Sequence, residues 1–155
     1  MVGAKKLIYT HWNDGHTMQE EPCLEIELRD TYHYIIVPNS CEKHPDHKYA
    51  NKAIKEAVKR QRLKARVMEY EVWSTISEPS HYLKIDMEKK SELIAVYQSQ
   101  LMHINYIDRM KGLNYYRGMA CHSEYAECYS EVKEEKLDYK IMQKLYSFYR
   151  KRLVK

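Results

Sequence analysis

Apolar positions along the chain fall into short runs separated by polar turns. Residues 5–10, Lys-Lys-Leu-Ile-Tyr-Thr, predict a short buried strand. The polar segment His11-Trp-Asn-Asp-Gly-His16 follows, with a turn signal at Asp14-Gly15. Pro22 suits the first position of a helix over residues 22–30 that packs Cys23, Leu24, Ile26 and Leu28 inward. Tyr34-Ile-Ile-Val37 is continuous and apolar and stops at Pro38, the pattern of a strand buried on both faces. A loop over 39–45 leads into a helix over 46–63, with Ala50, Ile54, Ala57 and Val58 at helical spacing. Residues 67–73 and 82–85 predict further strands, parted by the turn Ser77-Glu-Pro-Ser80. Asp86 caps a helix reaching residue 97. A helix over 101–119, a strand over 125–132 and a basic helix over 136–153 complete the pattern.

Strands alternating with helices predict an α/β layer built on a mostly parallel sheet. Ligand sites in such sheets sit in loops beyond the carboxyl ends of strands. Two loops fit that rule, 11–16 and 39–47, and one helix between their strands predicts parallel neighbours with a shared cleft.

Composition narrows the class. A chain of 155 residues suits one domain; residues 1–132 form its body and 133–155 its terminal helix. With 44% hydrophobic and 31% charged residues, it has the make-up of a globular protein. A net charge of +4 is small, so nucleic-acid binding is not expected, although basic residues crowd 48–66 and 133–155. Apolar runs are too short for a membrane span. Four cysteines occur without a C-x-x-C pair, and the apolar part of the start is too short for a secretion signal, so a reduced, cytoplasmic chain is expected.

Candidate chemistry gathers at Cys41-Glu-Lys-His44-Pro-Asp46-His47. Two imidazoles three residues apart at a helix start can face one cleft, and imidazole is a common zinc ligand. A carboxylate between them can hold one ring's second nitrogen. Two other readings stand beside this one. Asp46 could serve as a helix cap between two exposed histidines, or Cys41, His44 and His47 could form part of a structural zinc site.

The residues around this segment resemble the PIG-L (LmbE-like) family of zinc-dependent de-N-acetylases. The resemblance runs through the strand 34–37, His44-Pro-Asp-His47, and Ala50, Ala53 and Ala57. It continues through Glu71-Val-Trp-Ser, through Lys90 with Ile94 to Gln100, through Leu113-Asn-Tyr-Tyr-Arg117-Gly, and through Tyr125-Ala-Glu127. It covers residues 2–132. The resemblance implies a Rossmann-like sheet and hydrolysis of the acetyl amide of an N-acetylglucosamine-type sugar conjugate. Zinc would be the cofactor and His47 its ligand. His44 would polarise the amide carbonyl or protonate the leaving amine, and Asp46 would orient His44. Asp14 and Arg117 would face the substrate.

One family motif has no counterpart. The His-Pro-Asp-Asp segment that supplies two zinc ligands and the general base does not occur. His11-Trp-Asn-Asp14 has the right residue types for two ligands, but Asn13 cannot accept a proton from water. The simpler expectation is a sheet missing its first strands, with an exposed edge open to self-association. The competing expectation is a remnant or interaction module that holds no metal.

Overall fold

The structure, a computed structural model, describes residue 28 and residues 31–133. The strand predicted over 5–10, the loop 11–16 with Asp14, the first helix and the basic terminal helix lie outside the described residues.

Four strands form one sheet in the order β1-β2-β4-β3. Strand β1 is Tyr34–Pro38, and α1 is Pro45–Gln61. Strand β2 is Arg66–Tyr70 and β3 is His81–Lys84. Helices α2 (Met87–Ala95), α3 (Gln98–Leu101) and α4 (Tyr106–Gly118) follow. A single 3-10 turn over Met119–Cys121 precedes β4, Ala126–Glu131.

Strands β1 and β2 are parallel, with Ile35 opposite Val67 and Val37 opposite Glu69. Helix α1 joins them, the crossover that parallel pairing requires. Its Ala53 and Ala57 are buried, and small side chains there let the helix lie close to the strands. Asn51 Nδ2 donates to the Pro38 carbonyl at 2.6 Å and to Glu69 Oε1 at 2.8 Å, and Lys55 Nζ pairs with the same carboxylate. Arg62 ends the helix with φ 53°, its N–H reaching the Lys59 carbonyl, and Leu63 N–H bonds Val58 O.

The expectation of a mostly parallel sheet is corrected to a mixed sheet. Strand β4 lies between β2 and β3 and is antiparallel to both, pairing Tyr70 with Tyr129 and Tyr82 with Cys128. The single helix α1 returns the chain to the start of a strand. Helices α2, α3 and α4 and the 3-10 turn carry the chain from β3 to β4, and β4 begins at the end of the sheet where β3 stopped, Lys84 lying opposite Ala126. The strand predicted over 67–73 ends at Tyr70, because the backbone N–H groups of 72–74 turn away to a carboxylate of another loop. The helix predicted over 101–119 begins only at Tyr106, where the Asn105 side chain caps it through Asp108 N–H.

Among the described residues β1 forms one edge of the sheet and β3 the other. Tyr34 and Ile36 on β1 are more than half exposed, while Val37 is buried. No helix among the described residues is long and apolar enough to cross a membrane.

Candidate functional site

The turn after β1 is built by Asn39. Its backbone N–H extends the strand pairing to the Tyr70 carbonyl at 3.0 Å. Its Oδ1 accepts from Cys41 N–H at 2.9 Å, a side-chain turn that bends the chain, while Nδ2 donates to Ser74 O at 2.8 Å. The bend carries Glu42 inward until its side chain is fully buried.

A buried carboxylate needs donors, and Glu42 has them. Oε1 accepts from Trp73 N–H at 2.9 Å and Ser74 N–H at 2.8 Å, with Val72 N–H at 3.4 Å and Asn39 Nδ2 at 3.3 Å. Oε2 lies 3.2 Å from His47 Nδ1. Glu42 therefore ties together the loop after β1, the loop after β2 and the first turn of α1.

His44 is the N-cap of α1, its Nδ1 accepting from Asp46 N–H at 3.3 Å, and Pro45 occupies the first turn. The cap belongs to His44 and not to Asp46, because a ring nitrogen at the preceding residue reaches the free N–H first. Asp46 Oδ2 stands 3.9 Å from the same His44 nitrogen. The two imidazoles lie side by side with centroids 4.9 Å apart and planes at 37°. Both are partly open to solvent, at 40% for the His44 side chain and 28% for His47, over the closed Glu42.

The structure thus brings together His44, Asp46 and His47. Arg117 is placed elsewhere. Its Nε and Nη2 grip both oxygens of Glu71, and Nη2 also donates to Ile76 O at 2.8 Å. Lys90 bonds Asn114 Oδ1 at 2.7 Å and Glu127 Oε1 at 2.6 Å, and Tyr129 donates its hydroxyl to Glu127. Residues from the separate downstream sequence blocks therefore meet in two ion-pair clusters under α2 and α4. A cavity of about 140 Å³ lies beside them, lined by Ile36, Tyr70, Glu71, Lys90 and Glu127. His44 and His47 do not line it.

For zinc, the donor set fits in part. His47 has a carboxylate on one ring nitrogen, the arrangement that orients metal-binding histidines and raises their basicity. No group of three or more His, Cys, Asp or Glu side chains able to hold a metal is gathered among the described residues. The described residues therefore supply less than the three protein ligands a catalytic zinc takes.

Sequence reading missed Glu42 and Asn39. An asparagine directly after a strand-ending proline, with a carboxylate three residues on, was the signal for an inward-turning loop.

No family model matches the chain, and no curated protein does. Among solved structures, the chain is similar to the conserved protein TT1542 from Thermus thermophilus. Sequence identity is 20% and the TM-score 0.57, over 65% of this chain and 52% of that one. The likeness shows a shared mixed α/β fold, and the chain spans about half the length of that protein.

Proposed function

We propose that the segment Glu42–His47 is the helix-side part of a zinc-dependent N-deacetylase site that acts on an N-acetylglucosamine-type sugar conjugate. The observation that supports this is the buried carboxylate of Glu42 on His47 Nδ1, with a second imidazole 4.9 Å away. His47 is the metal ligand. His44 faces the acyl group, as a donor to its oxygen or to the departing nitrogen. Asp46 steadies His44 through its backbone N–H on Nδ1. Asp14 and Arg117 are the proposed substrate contacts, Arg117 in the second rank because Glu71 already holds it. Zinc, when bound, would acidify a water and polarise the acetyl carbonyl. Its remaining ligands and the general base must come from beyond the described residues. The free thiols of Cys41, Cys121 and Cys128 suit a reducing, cytoplasmic setting.

Zinc titration of the full chain, followed by equilibrium dialysis, tests this reading. A complete structural site gains on the order of 10–16 kcal/mol from zinc, and a partial set supplies a fraction of that. The expected result is weak one-site binding, lost in His47→Ala and kept in His44→Ala, without acetate release from N-acetylglucosamine conjugates. Absence of zinc binding, or equal loss in both variants, overturns it.

The second reading is an interaction module without metal. The position of β1 at the edge of the sheet among the described residues, with Tyr34 and Ile36 exposed, favours it. Size-exclusion chromatography with light scattering over a range of concentrations separates the two. A self-associating chain that ignores zinc supports the module.

A further inference from the structure

We infer that His44 and His47 are locked in opposite neutral tautomers, and that Glu42 is the positioning residue that sets the tautomer of His47. The lock itself follows from the hydrogen bonds of residues 39–47; only its consequence for metal binding rests on the zinc reading.

Glu42 dictates the state of His47. A carboxylate only accepts hydrogen bonds. Both oxygens of Glu42 face donors or a ring nitrogen, and its Oε1 is already filled by the backbone N–H groups of Trp73 and Ser74. With Glu42 as a carboxylate, the proton between Oε2 and His47 Nδ1 comes from the imidazole. His47 carries its hydrogen on Nδ1 and keeps a lone pair at Nε2.

His44 obeys the reverse constraint. Its Nδ1 receives the backbone N–H of Asp46, which is a donor only, so this nitrogen must be the acceptor. The neutral ring then carries its hydrogen on Nε2. Capping a helix with a histidine in place of an aspartate has a chemical result, since the cap fixes which nitrogen of the ring is protonated.

The two adjacent rings offer complementary atoms. His47 presents a lone pair and His44 presents an N–H, 4.9 Å apart between centroids. At Nε2, His44 is thereby a hydrogen-bond donor and His47 an acceptor. For an amide, this assigns His44 to its carbonyl oxygen as a neutral hydrogen-bond donor, in preference to proton delivery at nitrogen.

Glu42→Gln inverts one lock and leaves the other. The backbone N–H groups of 72–74 hold the carbonyl oxygen of a glutamine side chain where Oε1 now lies. Its amide then donates to His47 Nδ1, which must become the acceptor. His47 switches to the Nε2–H form, and its lone pair is withdrawn from any ligand.

Long-range 1H–15N correlation spectra of the full 15N-labelled chain read each tautomer directly. The measurement is made in mildly alkaline buffer. The expected result is Nδ1–H for His47 and Nε2–H for His44 in the natural sequence, with Glu42→Gln inverting His47 alone. Zinc titration of the same two proteins should show about 10- to 100-fold weaker binding in the variant. His47 in the Nε2–H form in the natural sequence, or both rings in one tautomer, overturns the inference, whether or not the variant folds. So does a folded Glu42→Gln protein with His47 unchanged. Tautomers as inferred, with no zinc bound by either protein, sustain the inference and overturn the zinc reading.

Discussion

Arg117 on α4 and Glu71 beyond the end of β2 meet in a two-pronged ion pair, with side chains 11% and 5% exposed. Glu71 also accepts from Ile76 N–H at 2.7 Å and from the Cys128 thiol at 3.0 Å. One pair thus pins α4 to the loop after β2 and to β4. Arg117→Ala leaves a buried carboxylate without its countercharge, and the expected loss of stability is roughly 3–5 kcal/mol. Urea unfolding followed by circular dichroism checks it. A loss below about 1 kcal/mol would mean that the pair behaves like a solvated surface bridge.

The two glycines of α4 should respond to alanine in opposite senses. A Cβ at Gly112 meets nothing within 4 Å, so Gly112→Ala is expected to stabilise by about 0.5–1 kcal/mol through helix propensity. A Cβ at Gly118 would press into the Ser123 carbonyl and lie 2.6 Å from Glu124 O. Backbone cannot yield as a side chain can, so Gly118→Ala is expected to cost about 1–3 kcal/mol. Thermal unfolding of both variants gives the comparison, and equal signs would refute it.

Thiol reactivity should separate Cys128 from Cys41. Burial, with the Glu71 carboxylate next to it, pushes the Cys128 thiol up to about 12. Alkylation needs the thiolate, so native Cys128 should resist iodoacetamide at about pH 8 while exposed Cys41 reacts. Peptide mass mapping after timed labelling reads both sites. Arg117→Ala removes a cation that lowers the Cys128 pKa, so faster labelling in that variant would report opening of the cluster and not a more acidic thiol.

Acid should weaken the fold through Glu127 and Glu69. Burial raises the carboxyl pKa of each, but the partners prevail. Lys90 and Tyr129 pull Glu127 below 4.5, and Lys55 and Asn51 do the same for Glu69. A folded pKa below the unfolded one means stability that is complete above about pH 4.5 and lost as pH falls through the lower folded value. The urea midpoint should therefore hold near neutrality and decline on acidification. Glu127→Gln should be less stable at pH 7 and show a shallower acid decline. An unchanged decline in that variant would remove Glu127 from the account.

The parts of this fold legible in the sequence are those whose cause lies nearby. Strand β1 was readable as a strand from an apolar run stopped by Pro38, but its expected burial on both faces is corrected, since Tyr34 and Ile36 stand open on what is an edge among the described residues; the helix expected from residue 46 starts at Pro45. The meeting of His44 and His47 was readable because both sit in one turn. Glu42 was not, since a carboxylate in a polar loop looks solvated until the N–H groups of Val72, Trp73 and Ser74 arrive from thirty residues downstream. The direction of β4 was equally hidden. Alternation of apolar residues marks a strand, but its neighbours and its sense are set by contacts with β2 and β3 more than forty residues upstream. Arg117 was expected to face the substrate by resemblance alone, and only the fold set Glu71 against it.

The placement of β4 also sets an order of events during synthesis. The last of the described strands to leave the ribosome takes the middle of the sheet, not an edge. Until Ala126–Glu131 emerges, β2 and β3 each present an unsatisfied side, and neither can close on the other because a full strand width must stay open between them. A nascent chain halted before that point holds the β1–β2 pair and a separate strand β3 rather than a smaller version of the finished sheet. The pairing of Tyr70 with Tyr129, fifty-nine positions apart, belongs to the long-range ladder that joins the two parts.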